Sequence, residues 1–167
     1  MTDVDEAVIV ALGSNLPGGY ASSRQLLDAA LGRFAGAGLP VAKASRWWRA
    51  PAWPDPSEPD YLNGVAIVET DRSPVEVLAA LLELERDFGR ERGAPNAPRT
   101  LDLDLIAHGR RLEEGPGLSL PHPRAHLRAF VMGPLAEIAP TWRHPVTGRT
   151  ARDLARDASH GRGAAPD

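Results

Sequence analysis

Leu62-Asn63-Gly64-Val65-Ala66-Ile67-Val68-Glu69, followed three residues later by Ser73-Pro74-Val75-Glu76, decides the fold. The first half is a nearly continuous apolar run of strand length, which predicts a buried strand. The second half is a capping box with proline at the first helical position, so a helix must start there. That helix carries Val77, Leu81, Leu84 and Phe88 on one stripe and closes at Gly89. Upstream, Val41 to Arg49 reads as extended, and no helical pattern separates it from the run at 62. Val8-Ile9-Val10-Ala11-Leu12, ended by Gly13-Ser14-Asn15, predicts another buried strand. Ser22 to Phe34 is helical by the spacing of Leu26, Leu27, Ala30, Leu31 and Phe34, and Gly36 and Gly38 stop it. Downstream, a strand is expected over 100–107, a helix over 124–138 despite Pro134, and a short helix over 150–158. Helices and strands interleave, with strand pairs lacking a helix between them. The expected architecture is therefore α+β, a sandwich of mixed or antiparallel sheet with helices packed on it. Residues 1–158 read as one domain, and 159–167, with Gly161, Gly163 and Pro166, as a flexible tail.

Composition removes whole classes of chemistry. The 167 residues include no cysteine, which excludes disulfides, thiolate nucleophiles and thiolate metal sites. A net charge of −3 argues against a nucleic-acid coat. No stretch approaches the length of a membrane span, and the acidic start is unlike a signal peptide, so a cytoplasmic protein is expected. The basic residues are 18 arginines and a single lysine, Lys43 in Val-Ala-Lys-Ala-Ser, so there is no P-loop lysine. Phosphate, if it is bound, must be gripped by arginine forks.

In Thr100-Leu101-Asp102-Leu103-Asp104-Leu105-Ile106 the leucines alternate with the aspartates, so Asp102 and Asp104 share the opposite face of the strand. The pair is either a solvated polar face or a seat for a divalent cation that relieves the repulsion between the carboxylates. Directly upstream, Gly89 to Arg99 contains three arginines, Arg90, Arg92 and Arg99, with two glycines and two prolines. A basic loop emptying into a di-aspartate strand is the layout of a metal–polyphosphate site. Glu85 falls where an apolar residue would continue the line of Leu78 and Leu82, so it is either a boundary residue or the edge of a pocket. Asp87-Phe88-Gly89 spells a protein-kinase tripeptide, but the chain is too short for a kinase and lacks its other motifs.

Four of the nine aromatic residues, Trp47, Trp48, Trp53 and Tyr61, lie within 47–61. With four prolines between 49 and 61 this stretch must be a stiff loop leading into the strand at 62. Its rings either pack beneath the loop or face a flat ligand, with Asn63 available to a ring edge. A third patch, Leu120-Pro121-His122-Pro123-Arg124 through Arg128 and Phe130, includes His122 and His126 four residues apart. No further ligand accompanies them, so a histidine with arginines beside a phosphate site is the better reading.

Taken in order, Ala11-Leu12-Gly13-Ser14-Asn15-Leu16, Pro59-Asp60-Tyr61-Leu62-Asn63, Pro98-Arg99-Thr100-Leu101-Asp102-Leu103-Asp104 and Leu120-Pro121-His122-Pro123-Arg124 with Phe130 resemble the 6-hydroxymethyl-7,8-dihydropterin pyrophosphokinases of folate biosynthesis. The resemblance runs over about residues 8–140. It implies a ferredoxin-like fold and Mg²⁺-dependent transfer of the β,γ-diphosphoryl group of ATP to the pterin hydroxymethyl oxygen, with release of AMP. It also implies that Asp102 and Asp104 hold two Mg²⁺ ions. Tyr61 and Phe130 would sandwich the pterin, Asn63 would bond its edge, and Ala50, Pro51 and Trp53 would complete the pocket. Arg90, Arg92 and Arg99 would form the catalytic loop, with Arg92, Arg99, His122, Arg128 and Glu85 at ATP. The expected partners are these two small molecules, with no nucleic acid and no membrane, and the chain is expected to act as a monomer. The sequence departs from the familiar family pattern at Ala50, Trp53 and Asn96-Ala97. Two rival readings are a different Mg²⁺-dependent phosphohydrolase and a ferredoxin-like module that binds nucleotide without catalysis.

Overall fold

The computed structural model describes residues 3–52, 57, 59–89 and 100–167. A strand β1 (Val8–Ser14) leads into helix α1 (Ser23–Gly32), then short strands β2 (Val41–Ala44) and β3 (Trp48–Ala50), then β4 (Tyr61–Val68), α2 (Pro74–Asp87) and β5 (Asp102–His108). This is a βαββαβ unit with its second strand interrupted, the order of ferredoxin-like folds. A hairpin follows, β6 (Glu113–Gly115) and β7 (Leu118–Leu120), then α3 (Ala129–Ile138), α4 (Ala151–Asp157) and β8 (Ala165–Pro166). The main sheet has six strands in the order β5-β1-β4-β3-β8, with β2 also pairing β4, and every pair in it is antiparallel.

Alternation along the strands builds two cores. Val8, Val10, Leu12, Leu62, Ala66, Leu103 and Leu105 pack beneath α1 and α2, which contribute Leu26, Leu27, Val77, Leu81 and Leu84. Ile9, Val65, Ile106 and Ala107 face the other way, onto Met132, Leu135, Trp142 and Leu154 around α3 and α4. A register shift between Ile9 and Val10 lets Ile106 and Ala107 both enter this second core. The capping box at Ser73 forms as expected, with Ser73 Oγ accepting from Glu76 N and Glu76 accepting in return. The helix expected over 124–138 is divided. A 3-10 turn at Ala125–Leu127 precedes it, and Arg128 is extended before α3 begins. Lys43, the single lysine, donates from Nζ to Ile138 O at 3.2 Å and closes the end of α3.

Trp47 and Trp48 point to opposite faces and account for much of the sheet's fit. Trp47 occupies the space a side chain at Gly64 would need, where an added Cβ would stand 2.5 Å from its ring. Its Nε1 donates to Asp28 on α1 at 2.8 Å. Trp48 lies over Gly133 of α3 in the same way, an added Cβ meeting its ring at 2.6 Å, and its Nε1 donates to Glu137 at 3.0 Å. These two rings are packed into the body of the fold, one against β4 and α1 and the other against α3, rather than offered to a ligand. Gly64→Ala forces the Trp47 ring out of a filled core, and overpacking of this kind costs about 1–3 kcal/mol. The expected fall in Tm is about 3–10 °C, readable by thermal melting; an unchanged Tm would show that the ring can move freely.

The segment 159–167, expected to be a flexible tail, is docked on the body. Ala165 and Pro166 pair with Arg49 and Trp48, and Asp167 N donates to Trp47 O at 2.9 Å. The unpaired edge of β3 supplies the hydrogen-bonding groups that hold it.

Candidate functional site

The antiparallel register lines up one row of residues across the sheet. Asp102 stands opposite Gly13, Gly13 opposite Asn63, and Asn63 opposite Trp48. One step along, Asp104 stands opposite Ala11 and Ala11 opposite Val65. Leu103 and Leu105 are buried in the α1/α2 core, so both aspartates are on the opposite face, as their alternation requires. They are half-buried, and two positions along a strand separate their Cα atoms by roughly 6.5–7 Å. Between Asp102 and Asn63 lies only the hydrogen of Gly13. Even a Cβ there would meet Asn63 Oδ1 at 3.1 Å. Two strand spacings, roughly 10 Å, separate the Cα atoms of Asp102 and Asn63, and the Asn63 carboxamide reaches over Gly13 towards the β5 side. Gly13, which the sequence offered as the end of a strand and as part of the first resemblance motif, has no side chain to displace that carboxamide.

Asn63 is buried, and its Nδ2 has no hydrogen-bond partner among the described residues. A buried donor left unpaired costs about 1–3 kcal/mol, which a ligand acceptor would recover. Tyr61 begins β4 two residues away, on the same face by alternation, and is paired with the buried Ala50 at the end of β3; Pro51 follows, exposed. Phe130, in the first turn of α3 above this face, is half-buried, and the Arg128 guanidinium lies 5.7 Å from its ring centroid.

His122 joins the acidic and basic parts. Its backbone N donates to Ile106 O at 2.8 Å, fixing the Pro121–Pro123 turn against β5. Its Nδ1 accepts from Arg124 N at 3.1 Å, so the neutral ring carries its proton on Nε2. Burial, together with the Arg128 and Arg124 charges, pushes its pKa down to about 4, against the opposing pull of Asp102. At neutral pH the ring is therefore an uncharged donor. Glu85, on α2, is buried, and its Oε2 accepts from Leu103 N at 2.9 Å. It anchors β5 at the residue between the two aspartates. A groove of about 280 Å³ opens on the outer side of β5, lined by Leu78, Asp104, Gly117, Leu118, His122 and Pro123. Its far wall is the β6–β7 hairpin, which the sequence reading missed; the turn Gly115-Pro116-Gly117, with Gly117 at φ +78°, was its signal. Arg90, Arg92, Arg99 and Trp53 lie outside the described residues.

Among the described residues no three His, Asp or Glu side chains converge as a metal cage. Two carboxylates on one strand face, with the remaining coordination left to phosphate oxygens and water, is the donor set that suits Mg²⁺. The residues present fit that ion.

A second histidine, His144, is buried edge-on to Trp142, with ring centroids 5.9 Å apart. His144 accepts at Nδ1 from Val146 N and Thr147 N, both at 3.1 Å, and its ring lies 5.1 Å from that of His126. Burial, with His126 and Arg110 nearby, pushes its pKa down to about 4. A folded-state value below the unfolded 6.5 means that the unfolded chain binds the proton more readily. Stability is therefore expected to fall as pH drops from about 6.5 towards 4. His144→Asn keeps an acceptor for the turn but does not titrate, so urea midpoints across that window should decline less steeply. Identical slopes would refute this assignment.

The family model of 7,8-dihydro-6-hydroxymethylpterin-pyrophosphokinase matches residues 9–140, ending before α4. A 2-amino-4-hydroxy-6-hydroxymethyldihydropteridine pyrophosphokinase of Synechocystis sp. is 47% identical over 118 residues, 71% of this chain and 60% of that one. The protein of that name from Pseudomonas aeruginosa is 40% identical over 144 residues, 84% of this chain and 85% of that one. Among solved structures, the wild-type HPPK-DHPS of Plasmodium falciparum superposes with a TM-score of 0.67 at 13% identity, covering 90% of this chain and 40% of that one, which shows a shared fold.

Proposed function

We propose, because the chain belongs to the 7,8-dihydro-6-hydroxymethylpterin-pyrophosphokinase family, that it transfers the β,γ-diphosphoryl group of ATP to the hydroxymethyl oxygen of 6-hydroxymethyl-7,8-dihydropterin. The observation that carries this reading is the cross-sheet row in which Asp102 and Asn63 flank Gly13. It offers a cation seat on one side and an unpaired amide donor on the other. Both stand on one face of the sheet, so a flat substrate and a polyphosphate can lie side by side above it.

In this reading the pterin lies on the Asn63 side. Asn63 Nδ2 donates to its ring edge, Tyr61 and Phe130 bracket its faces, and Ala50, Pro51 and Trp53 close the pocket. ATP lies on the β5 side, with its base towards the groove against the hairpin and its phosphates above Asp102 and Asp104. Asp102 and Asp104 would hold Mg²⁺, which when bound would supply neutralisation of the phosphate charge and alignment of the phosphate oxygens. His122 donates from Nε2, and Arg128 and the loop residues Arg90, Arg92 and Arg99 neutralise the remaining oxygens. Glu85 positions the nucleotide side by holding β5 at Leu103. The hydroxymethyl oxygen attacks the β-phosphorus, the bond from that phosphorus to the α-phosphate's bridging oxygen breaks, AMP departs with the electron pair, and the hydroxyl proton passes to water. Alignment and charge neutralisation suffice for such a transfer, and no strong base is required.

The product decides the matter. Incubation with ATP, Mg²⁺ and the hydroxymethyl-dihydropterin should yield AMP and the pterin pyrophosphate in equal amounts, with no AMP when the pterin is omitted. Formation of ADP or free phosphate instead would identify a phosphohydrolase, and nucleotide binding without turnover a non-catalytic module.

A further inference from the structure

We propose that residues 159–167 form a strap that positions the two walls of the pterin pocket, with Gly161 and Asp167 as its positioning residues; the inference rests on the pocket assignment above. The segment touches both walls and lies beyond the matched family stretch. At one end, Ser159 N and His160 N donate to Leu127 O at 3.1 and 2.9 Å, and His160 O accepts from Ala129 N at 2.8 Å. These bonds hold the chain on both sides of Arg128, immediately before Phe130. Gly161 then turns the chain with φ +71°, directly against the Phe130 ring. A methyl group added there would stand 2.5 Å from Cδ1 and 3.2 Å from Cε1 of Phe130. The absence of a side chain at Gly161 therefore sets where the ring can lie.

At the other end, the strap becomes the outermost strand beside β3. Gly163 passes Pro51, whose Cδ would be 3.6 Å from an added Cβ. Ala165 and Pro166 pair with Arg49 and Trp48, just before Ala50. The Asp167 carboxylate bonds Arg49 Nε and Arg24 Nη1, each at 2.8 Å, which ties the β3 edge to α1. Nine residues thus join the start of α3, which carries Phe130, to the strand end that carries Ala50. Freed at either end, the strap would let one wall move relative to the other.

The test measures pterin and ATP-analogue affinity separately, by calorimetry on the full chain with Mg²⁺. Gly161→Ala should weaken the pterin tenfold or more and leave the nucleotide within twofold. Gly148→Ala is the matched control, because Gly148 has nearly the same backbone angle, φ +70°, and nothing within 4 Å of an added Cβ. It carries the same backbone strain and should leave both affinities unchanged. Phe130→Ala should weaken the pterin too, and in Phe130→Ala the further change Gly161→Ala should add little. If Gly161→Ala does not fold, Asp167→Ala tests the strap from its exposed end, with a threefold or larger loss of pterin affinity expected. Pterin affinity at the wild-type value in Gly161→Ala, or an equal loss in Gly148→Ala, overturns the strap. Wild-type affinity in Phe130→Ala overturns the pocket assignment itself, and the strap with it.

Discussion

Asp102→Ala and Asp104→Ala should each lower turnover a thousandfold or more while the fold survives. Both side chains leave the sheet on the face opposite the leucine core, so their removal opens no hole among Leu101, Leu103 and Leu105. In the proposed reading, what is lost is the seat for the cation that would neutralise the phosphates, a contribution of several kcal/mol to the transition state. A thousandfold loss corresponds to about 4 kcal/mol. The far-ultraviolet circular dichroism and Tm should match those of the parent, whereas AMP release under saturating ATP and pterin should nearly vanish. Either variant retaining near-parental turnover would remove the metal assignment. Parental Tm with lost turnover is the pattern that separates a cation seat from a structural carboxylate.

Glu85→Ala should show the reverse pattern, with stability falling first. Glu85 is buried and its Oε2 accepts the backbone N–H of Leu103 at 2.9 Å. Truncation leaves that donor without this acceptor, at about 1–3 kcal/mol, and opens space beside β5. A fall in Tm of roughly 5–10 °C is expected for a chain of this size. Turnover should drop about tenfold as well, because Leu103 sits between the two aspartates and its position sets theirs. Glu85→Gln retains a carbonyl acceptor of the same length and should restore most of the lost Tm. A Glu85→Ala protein that melts with the parent would show that β5 is held by other means.

The sequence made the fold legible wherever a period was long or a cap was explicit. The box at Ser73, the runs at Val8 and Leu62, and the leucine–aspartate alternation of β5 all sit within a residue or two of their expected places. Of the candidate site, the sequence showed what strand period determines, the common face of Asp102 and Asp104. Other features depended on pairing between distant segments, which local pattern does not contain. The register that sets Gly13 between Asp102 and Asn63 is one. The seating of Trp48 over Gly133 is another, since it requires α3 to cross β3. The segment 159–167 read as a tail because its glycines and proline resemble punctuation. Its order comes from a partner more than a hundred residues upstream, the edge of β3. Glu85 stood out as a polar interruption of an apolar stripe, but only tertiary structure shows that a backbone amide fills its need.

Lys43 carries a practical corollary. It is the single lysine of the chain, and its ammonium closes α3 through Ile138 O, while its backbone pairs with Ile67, four residues along β4 from Asn63. Amine-directed attachment to a sensor surface or fluorophore therefore meets one lysine side chain, well away from the cleft. Coupling through that side chain, as distinct from the α-amino group, would tether molecules in a common orientation, with the proposed ligand-binding face left towards solution and the grip on the last turn of α3 loosened.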